Sequence, residues 1–215
     1  MNSLIKKYKH IILALYVPIY LICFFFLERT VTTDFTALNS PIDDIIPFIP
    51  VFIIPYILWF FYVAVSAIYF FLVSQRDFVK LMSFLIIGMT AYLIICYIFP
   101  NGLRDFRPAQ LDAESPFYGM ISWLYATDTS TNVFPSIHVY NSIGVHIAIS
   151  RSDKIRHKAV KIGSLVLCIL ICLSTMFMKQ HALIDVIGGC VMGQLVYHLV
   201  YKTKYSGLID RKAWS

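Results

Sequence analysis

Apolar residues in this chain fall into long unbroken runs, unlike the short alternations of a strand or the one-sided stripe of a surface helix. A helix needs about 17–25 such residues to cross the hydrocarbon core of a bilayer. The runs predict spans near residues 11–27, 51–73, 79–99, 134–150, 159–178 and 182–201. The run at 134–150 is near the lower limit and carries His138 and His146, so it is the weakest of the six by hydropathy. Glu28-Arg29 follows the first run where a cleaved signal would have small residues, which predicts a retained span. The expected fold is therefore all-α: residues 1–215 as a single polytopic membrane bundle of six transmembrane helices.

The polar gaps between the runs are unequal. Residues 74–78 and 151–158 are short linkers, whereas 28–50 and 100–133 are long. Long loops of this kind are usually functional or disordered. The first is rich in Thr, Asp and Pro and ends in Pro41-Ile-Asp-Asp-Ile-Ile-Pro-Phe-Ile-Pro50.

Composition agrees with a membrane solvent, since 59% of the 215 residues are hydrophobic and only 14% charged. Soluble domains carry roughly 25% charged residues. The net charge of +6 raises the question of nucleic acid, and the placement of the basic residues answers it. With six spans, one side holds Lys6, Lys7, Lys9, Arg76, Lys80, Arg151, Lys154, Arg156, Lys158, Lys161, Lys202, Lys204, Arg211 and Lys212. The other holds only Arg29, Arg104, Arg107 and Lys179, a split of 14 against 4, together with nine of the twelve acids. Positive flanks stay cytoplasmic, so both termini are expected inside and both long loops outside. The basic excess is an orientation signal, and no nucleic-acid partner is expected. The five cysteines all lie inside apolar runs, without metal-ligand spacing, and read as small buried hydrophobes.

Candidate chemistry gathers at the extracytoplasmic ends of the spans. The third span runs into Arg104 and Arg107-Pro108, and the fourth opens with Phe134-Pro135-Ser136-Ile137-His138. The fifth and sixth meet at Ser174-Thr-Met-Phe-Met-Lys179-Gln-His181-Ala-Leu-Ile-Asp185. The spacing of His181 and Asp185 puts both on one helix face, where a carboxylate fixes the imidazole tautomer and raises its basicity. Such a histidine is a competent nucleophile or base. Taken alone, Asp185 also suits a pair with Lys179, and the arginines suit headgroup anchors. Together, cations, a helix N-terminus and two histidines are what phosphoryl transfer requires. His146 and His198 read as structural polar contacts, and Gly189-x-x-x-Gly193 as a close-packing surface.

The series Arg107-Pro108, then Pro135-Ser136-x-His138, then Ser174-x6-His181-x3-Asp185 resembles the three signatures of the type-2 phosphatidic acid phosphatase superfamily. The resemblance covers roughly residues 50–200. It implies a phosphohistidine at His181, oriented by Asp185, with His138 protonating the leaving oxygen. It also implies phosphate contacts from Arg107 and Ser136, and no metal or other cofactor. Three positions depart from the pattern: Pro100 replaces a lysine, Ile137 a glycine and Thr175 an arginine. Arg104 and Lys179 are nearby cations that stand in as expected phosphate ligands. Ile137, Lys179-Gln180-His181 and Asp44-Ile-Ile-Pro-Phe-Ile-Pro50 resemble a sub-branch that includes inositol phosphorylceramide synthases and sphingomyelin synthase-like proteins.

The implied function is a membrane lipid phosphatase acting on a phosphomonoester or diphosphate. The alternatives are a lipid headgroup transferase and a non-catalytic phospholipid-binding or transport protein. The expected partners are the membrane and a lipid phosphate substrate. Short cytoplasmic loops point to a bacterial plasma membrane.

Overall fold

The computed structural model describes residues 9–203 and 207. Of the basic residues that orient the chain by charge, Lys6, Lys7, Lys204, Arg211 and Lys212 lie outside the described residues. The long helices are α1 (Tyr16–Thr30, preceded by the 3-10 turn Lys9–Leu15), α3 (Ile53–Val73), α4 (Gln75–Ile98), α6 (Ile137–Arg151), α7 (Lys158–Phe177) and α8 (Leu183–Tyr197). Two short helices interrupt the long loops, α2 (Pro41–Asp44) and α5 (Tyr118–Thr127). Two-residue strands, β1 (Thr36–Ala37) and β2 (Asn101–Gly102), pair in parallel.

Among the described residues, five segments are long and apolar enough to cross a membrane: Ile11–Thr30, Pro50–Val73, Gln75–Ile98, Lys158–Phe177 and Leu183–Lys202. They carry large apolar side chains outward, among them Phe26, Phe61, Leu72 and Leu195, as lipid-facing surfaces do. The sixth, α6, has 15 residues and is about 22 Å long, short of the roughly 30 Å hydrocarbon core. It is the central helix, packed by α3, α4, α7 and α8. Neighbouring helices cover it, so it needs no lipid-compatible surface, and its weak hydropathy results from that cover. The chain is an all-α, multi-pass bundle.

Local chemistry sets the helix starts. Ser74 caps α4, its hydroxyl accepting the Asp77 N–H at 3.3 Å, so the helix begins ahead of the apolar run and absorbs most of the linker at 74–78. Ser136 caps α6, accepting from the Val139 N–H at 3.4 Å. At the other end of the bundle, the Asp77 carboxylate accepts the Ser152 hydroxyl at 2.6 Å and joins α4 to the end of α6.

Close contacts with α4 and α8 hold α6 in place. The Tyr140 ring stacks on Phe84 with centroids 4.6 Å apart, and its hydroxyl donates to the Phe84 carbonyl at 2.5 Å. On α8, a Cβ at Gly189 would stand 2.7 Å from the Ser136 carbonyl oxygen. Only glycine lets α8 approach the start of α6 this closely, and the Ser136 N–H then reaches the Asp185 carbonyl at 3.0 Å. The Gly189-x-x-x-Gly193 surface thus packs on α6 within the chain, with Gly193 facing Ile143. His146 bonds to Ser164 at 3.1 Å and His198 to Gln194 at 2.9 Å, both structural contacts. Of the cysteines, Cys96 and Cys168 are buried, whereas Cys23 and Cys190 lie on the outer surface of the bundle, where thiols are equally at home against lipid.

The long loops fold onto each other as a cap over one end of the bundle. Asn101, fully buried, accepts the Val133 and Phe134 N–H groups at 3.0 and 2.8 Å. Glu28, near the end of α1, accepts the Asn132 amide at 3.0 Å and the Thr129 hydroxyl. Tyr92 donates to the Asn132 carbonyl at 2.6 Å.

Candidate active site

Under this cap, residues from three separate segments converge. The turn after α7 is held by the Thr175 carbonyl, which accepts the N–H groups of both Gln180 and His181 at 2.9 and 3.0 Å. Lys179 in that turn has φ 52°, the left-handed conformation that ends helices and that glycine usually fills. Its ammonium donates to the Asp43 carbonyl at 2.8 Å and lies 4.6 Å from the Phe106 ring centre. The strained residue is thereby tied to α2.

The turn delivers His181 to His138, one residue into α6. Nδ1 of His138 and Nε2 of His181 are 3.3 Å apart, and both residues are buried. The other nitrogen of His181, Nδ1, is 3.4 Å from Oδ2 of Asp185, which is fully buried. The same Asp185 oxygen accepts the Ala182 N–H at 2.8 Å, so it is fixed by the first turn of α8. The result is a row, His138–His181–Asp185, with the carboxylate behind the imidazole. The Nδ1 contact is looser than a hydrogen bond, as catalytic contacts often are before substrate binds.

Two aromatic rings close on His138 from α3, Tyr56 at 4.7 Å and Trp59 at 4.3 Å between centroids. The Tyr56 hydroxyl donates to Asp128 at 2.6 Å. Burial raises the Asp128 carboxyl above its ordinary value, and the Tyr56 hydrogen bond, then the nearby His181 and Arg107, pull it back.

Arg107 enters from the second long loop. Its guanidinium donates to the Tyr125 carbonyl at 3.0 Å, the Asp128 carbonyl at 2.6 Å and the Gln180 side-chain oxygen at 2.7 Å, and it stacks 4.4 Å from the Tyr125 ring centre. Its buried Nε–H has no partner among the described residues, nor has the Gln180 side-chain amide nitrogen. Burial lowers the guanidinium from its ordinary value, opposed first by Asp128, and pushes the Tyr125 phenol up to about 12, opposed by Arg107.

The structure therefore brings His138, His181, Asp185 and Ser136 together, with Arg107 linked to them through Gln180. Arg104 is elsewhere: it is exposed, its backbone is bonded to Asn39 and its guanidinium lies over Phe35. Lys179 is adjacent in sequence but its ammonium is engaged at Asp43. Pro100 only accepts, through its carbonyl, from Thr36, and Thr175 is buried with its hydroxyl on the Cys172 carbonyl.

Besides Tyr56 and Trp59, four polar residues of this neighbourhood were not assigned a role from sequence. Gln180 bridges Arg107 to the histidine turn. Glu28 and Asp128 line a cavity of about 30 Å³ that reaches His138 and His181. Asp43, buried in α2, accepts the Leu183 N–H at 2.7 Å and so caps α8. The only sequence signal for Asp43 was Ser40 three residues before it, half of a capping box. Among the described residues, no three His, Cys, Asp or Glu side chains converge as a metal-ligand set.

The sequence pattern of the PAP2 superfamily matches residues 80–206, more than half of the chain. The chain belongs to the PAP2 superfamily. The match takes in every residue of the His138–His181–Asp185 row and Arg107. PAP2 membership makes this a membrane protein of the lipid phosphatase and phosphotransferase type. Searches of curated proteins and of solved structures gave no match. The PAP2 match begins at Lys80, so Glu28, Asp43, Tyr56 and Trp59 stand on helices that precede it.

Proposed function

We propose that the protein hydrolyses a lipid phosphomonoester or diphosphate through a phosphohistidine at His181. The observation that carries this reading is the row of contacts, 3.3 Å from His138 to His181 and 3.4 Å from His181 to Asp185. Asp185 holds the proton of His181 on Nδ1, which leaves the Nε2 lone pair free. That lone pair attacks phosphorus while the bond to the leaving oxygen breaks and His138 supplies the proton that oxygen needs. Water then attacks the phosphohistidine, His138 takes its proton, and the phosphorus–nitrogen bond returns its electrons to Nε2. No step in this sequence requires a metal.

An in-line transfer puts phosphorus and the leaving oxygen between the two nitrogens, and a 3.3 Å contact has no room for them. In this reading His138 swings toward an apolar cleft of about 210 Å³ that its ring already lines, between α1, α3 and α5. The lipid arrives sideways through the same cleft. Arg107, with its free Nε–H, the Gln180 amide and the start of α6 at Ser136 receive the non-bridging oxygens. Lys179 and Arg104 act as anchors for the turn and the loop. The site end is extracytoplasmic and the termini cytoplasmic, on the charge split, in a plasma membrane.

A second reading has one observation behind it. The cleft of about 210 Å³ at His138 is apolar, which suits a lipid hydroxyl as acceptor in place of water, as the inositol phosphorylceramide synthase-like motifs imply. The chemistry at His181 is unchanged.

Phosphate release from a panel of lipid phosphates by the detergent-purified protein, with chelator present, tests the proposal. Chelator-resistant release that His181→Ala abolishes supports it. Release that survives in His181→Ala contradicts it. Headgroup transfer to an added lipid alcohol with no phosphate release selects the second reading.

A further inference from the structure

The helix in the second long loop has the wrong outer face for water. α5 (Tyr118–Thr127) carries no charged side chain in its 10 residues. Its inner face, Ile121 and Leu124, is buried in one cluster with Ile53, Tyr56 and Met178. Its outer face presents Tyr118, Met120 and Trp123, of which Trp123 is 56% exposed. A loop helix in contact with water ordinarily turns charged or polar residues outward. Here the exposed surface holds tryptophan and tyrosine, the residues of membrane–water interfaces. That surface is also continuous with the lipid-facing wall of the bundle. Trp123 lines the apolar cleft with Phe25 of α1 and Phe60 of α3, which are 54% and 50% exposed.

We propose that α5 is an interfacial helix, with Tyr118, Met120 and Trp123 seated in the lipid surface at the site end of the bundle. The proposal goes beyond the phosphatase reading, since a lipid surface holds α5 whatever reaction the site performs. The seat reaches the site through two contacts at the end of the helix. Arg107 donates to the Tyr125 and Asp128 carbonyls at 3.0 and 2.6 Å and stacks on the Tyr125 ring. The Tyr125 hydroxyl donates to the Met178 carbonyl at 2.9 Å, three residues before His181. α5 is therefore wedged between the bilayer surface on one side and Arg107 and the histidine turn on the other. A helix of 10 residues is too short to hold itself together in water without packing on its faces. Loss of the lipid contact loosens it, and with it the carbonyls that aim the guanidinium.

The chain has three tryptophans, Trp59, Trp123 and Trp214, so Trp59→Phe with Trp214→Phe leaves Trp123 as the sole tryptophan reporter. This protein is reconstituted into phosphatidylcholine vesicles whose acyl chains carry bromine near the headgroup, and separately exposed to aqueous iodide. The expected result is a larger loss of Trp123 emission to the brominated lipid than to iodide. A larger loss to iodide overturns the proposal, because the face is then in water. Emission that neither quencher touches overturns it as well, because a protein surface, such as a second copy of the chain, then covers the face. Should the double replacement fail to fold, the difference in quenching between wild type and Trp123→Phe reads the same residue. The link to the site is read by kinetics on one lipid phosphate in vesicles without bromine. Trp123→Ser should lower kcat severalfold, and Trp123→Phe should keep most of it. A Trp123→Ser kcat equal to wild type, or a change confined to KM, makes Trp123 a wall of the cleft only and overturns the link to Arg107. If no lipid phosphate is turned over, the phosphatase reading falls, and the quenching still decides the surface.

Discussion

The carboxylate of Asp43 accepts the backbone N–H of Leu183 at 2.7 Å, which joins the one-turn helix α2 to the start of α8 across 140 residues of chain. Its other oxygen accepts from the Ser40 N–H and hydroxyl at 2.8 and 2.9 Å, and its carbonyl takes the Lys179 ammonium. One buried residue thus fixes both sides of the turn that carries His181. A negative charge at a helix N-terminus is stabilising in its own right.

Asp43→Ala is expected to leave the Leu183 and Ser40 donors unpaired, at a cost of about 1–3 kcal/mol. The melting temperature in detergent should drop, and activity should fall because His181 loses its fixed position. Asp43→Asn keeps one acceptor oxygen and should lie between. A melting temperature equal to wild type in Asp43→Ala would refute the capping role.

Arg107 holds three oxygen acceptors with a planar fork, and a lysine cannot reproduce that geometry. Arg107→Lys should lower kcat/KM by roughly 10–100-fold, losing the loop anchor together with the phosphate contact proposed for it. Steady-state kinetics on one lipid phosphate check this, and an unchanged kcat/KM would remove Arg107 from the site.

Asp128 gives a pH prediction with a definite sign. Burial raises its folded-state pKa above the ordinary 3.8, so in that window the folded protein binds more protons than the unfolded one. Its contribution to stability is therefore greatest below 3.8 and is lost as pH rises through the raised value. Asp128→Asn keeps an acceptor for Tyr56 and does not ionise. Melting temperatures measured from acid to neutral pH should show the wild type losing ground to this variant as pH rises. A difference that is flat with pH would contradict the buried carboxyl.

Much of this architecture is legible in the sequence because membrane spans and i,i+4 pairs are local signals. The four-residue spacing of His181 and Asp185 marks a pair that does meet, although His181 stands in the turn before α8 and not on the shared helix face the spacing predicts. α1, α3, α4, α7 and α8 announce themselves by length and apolarity. The boundaries shift where capping outweighs hydropathy, as at Ser74. α6 was the faintest because its surroundings are protein, and burial there tolerates His138, Asn141 and Ser142. Asp43, Glu28 and Gln180 were silent for a different reason. Their partners are far away in the chain or depend on a loop's fold, and no period or spacing encodes Asp43 meeting Leu183 or Glu28 meeting Asn132.

Asp185 is argued to hold the His181 tautomer from a distance of 3.4 Å. Asp185→Asn preserves shape and the capacity to accept from Ala182 while removing the charge. By analogy with the same change in serine-protease triads, kcat should fall on the order of 10²–10⁴-fold. The fold should be kept, as monitored by elution profile and melting temperature. A kcat within a factor of about two of wild type would exclude the orienting role.

The central claim is a covalent phosphohistidine, and its most direct test is to trap it. The purified protein is mixed with a lipid phosphate labelled on phosphorus and quenched into alkaline denaturant, where phosphohistidine survives, and the labelled peptide is sequenced. The account predicts label on His181 in the wild type and none in His181→Ala. Turnover by the wild type with no trapped label, or label on any residue other than His181, would contradict it.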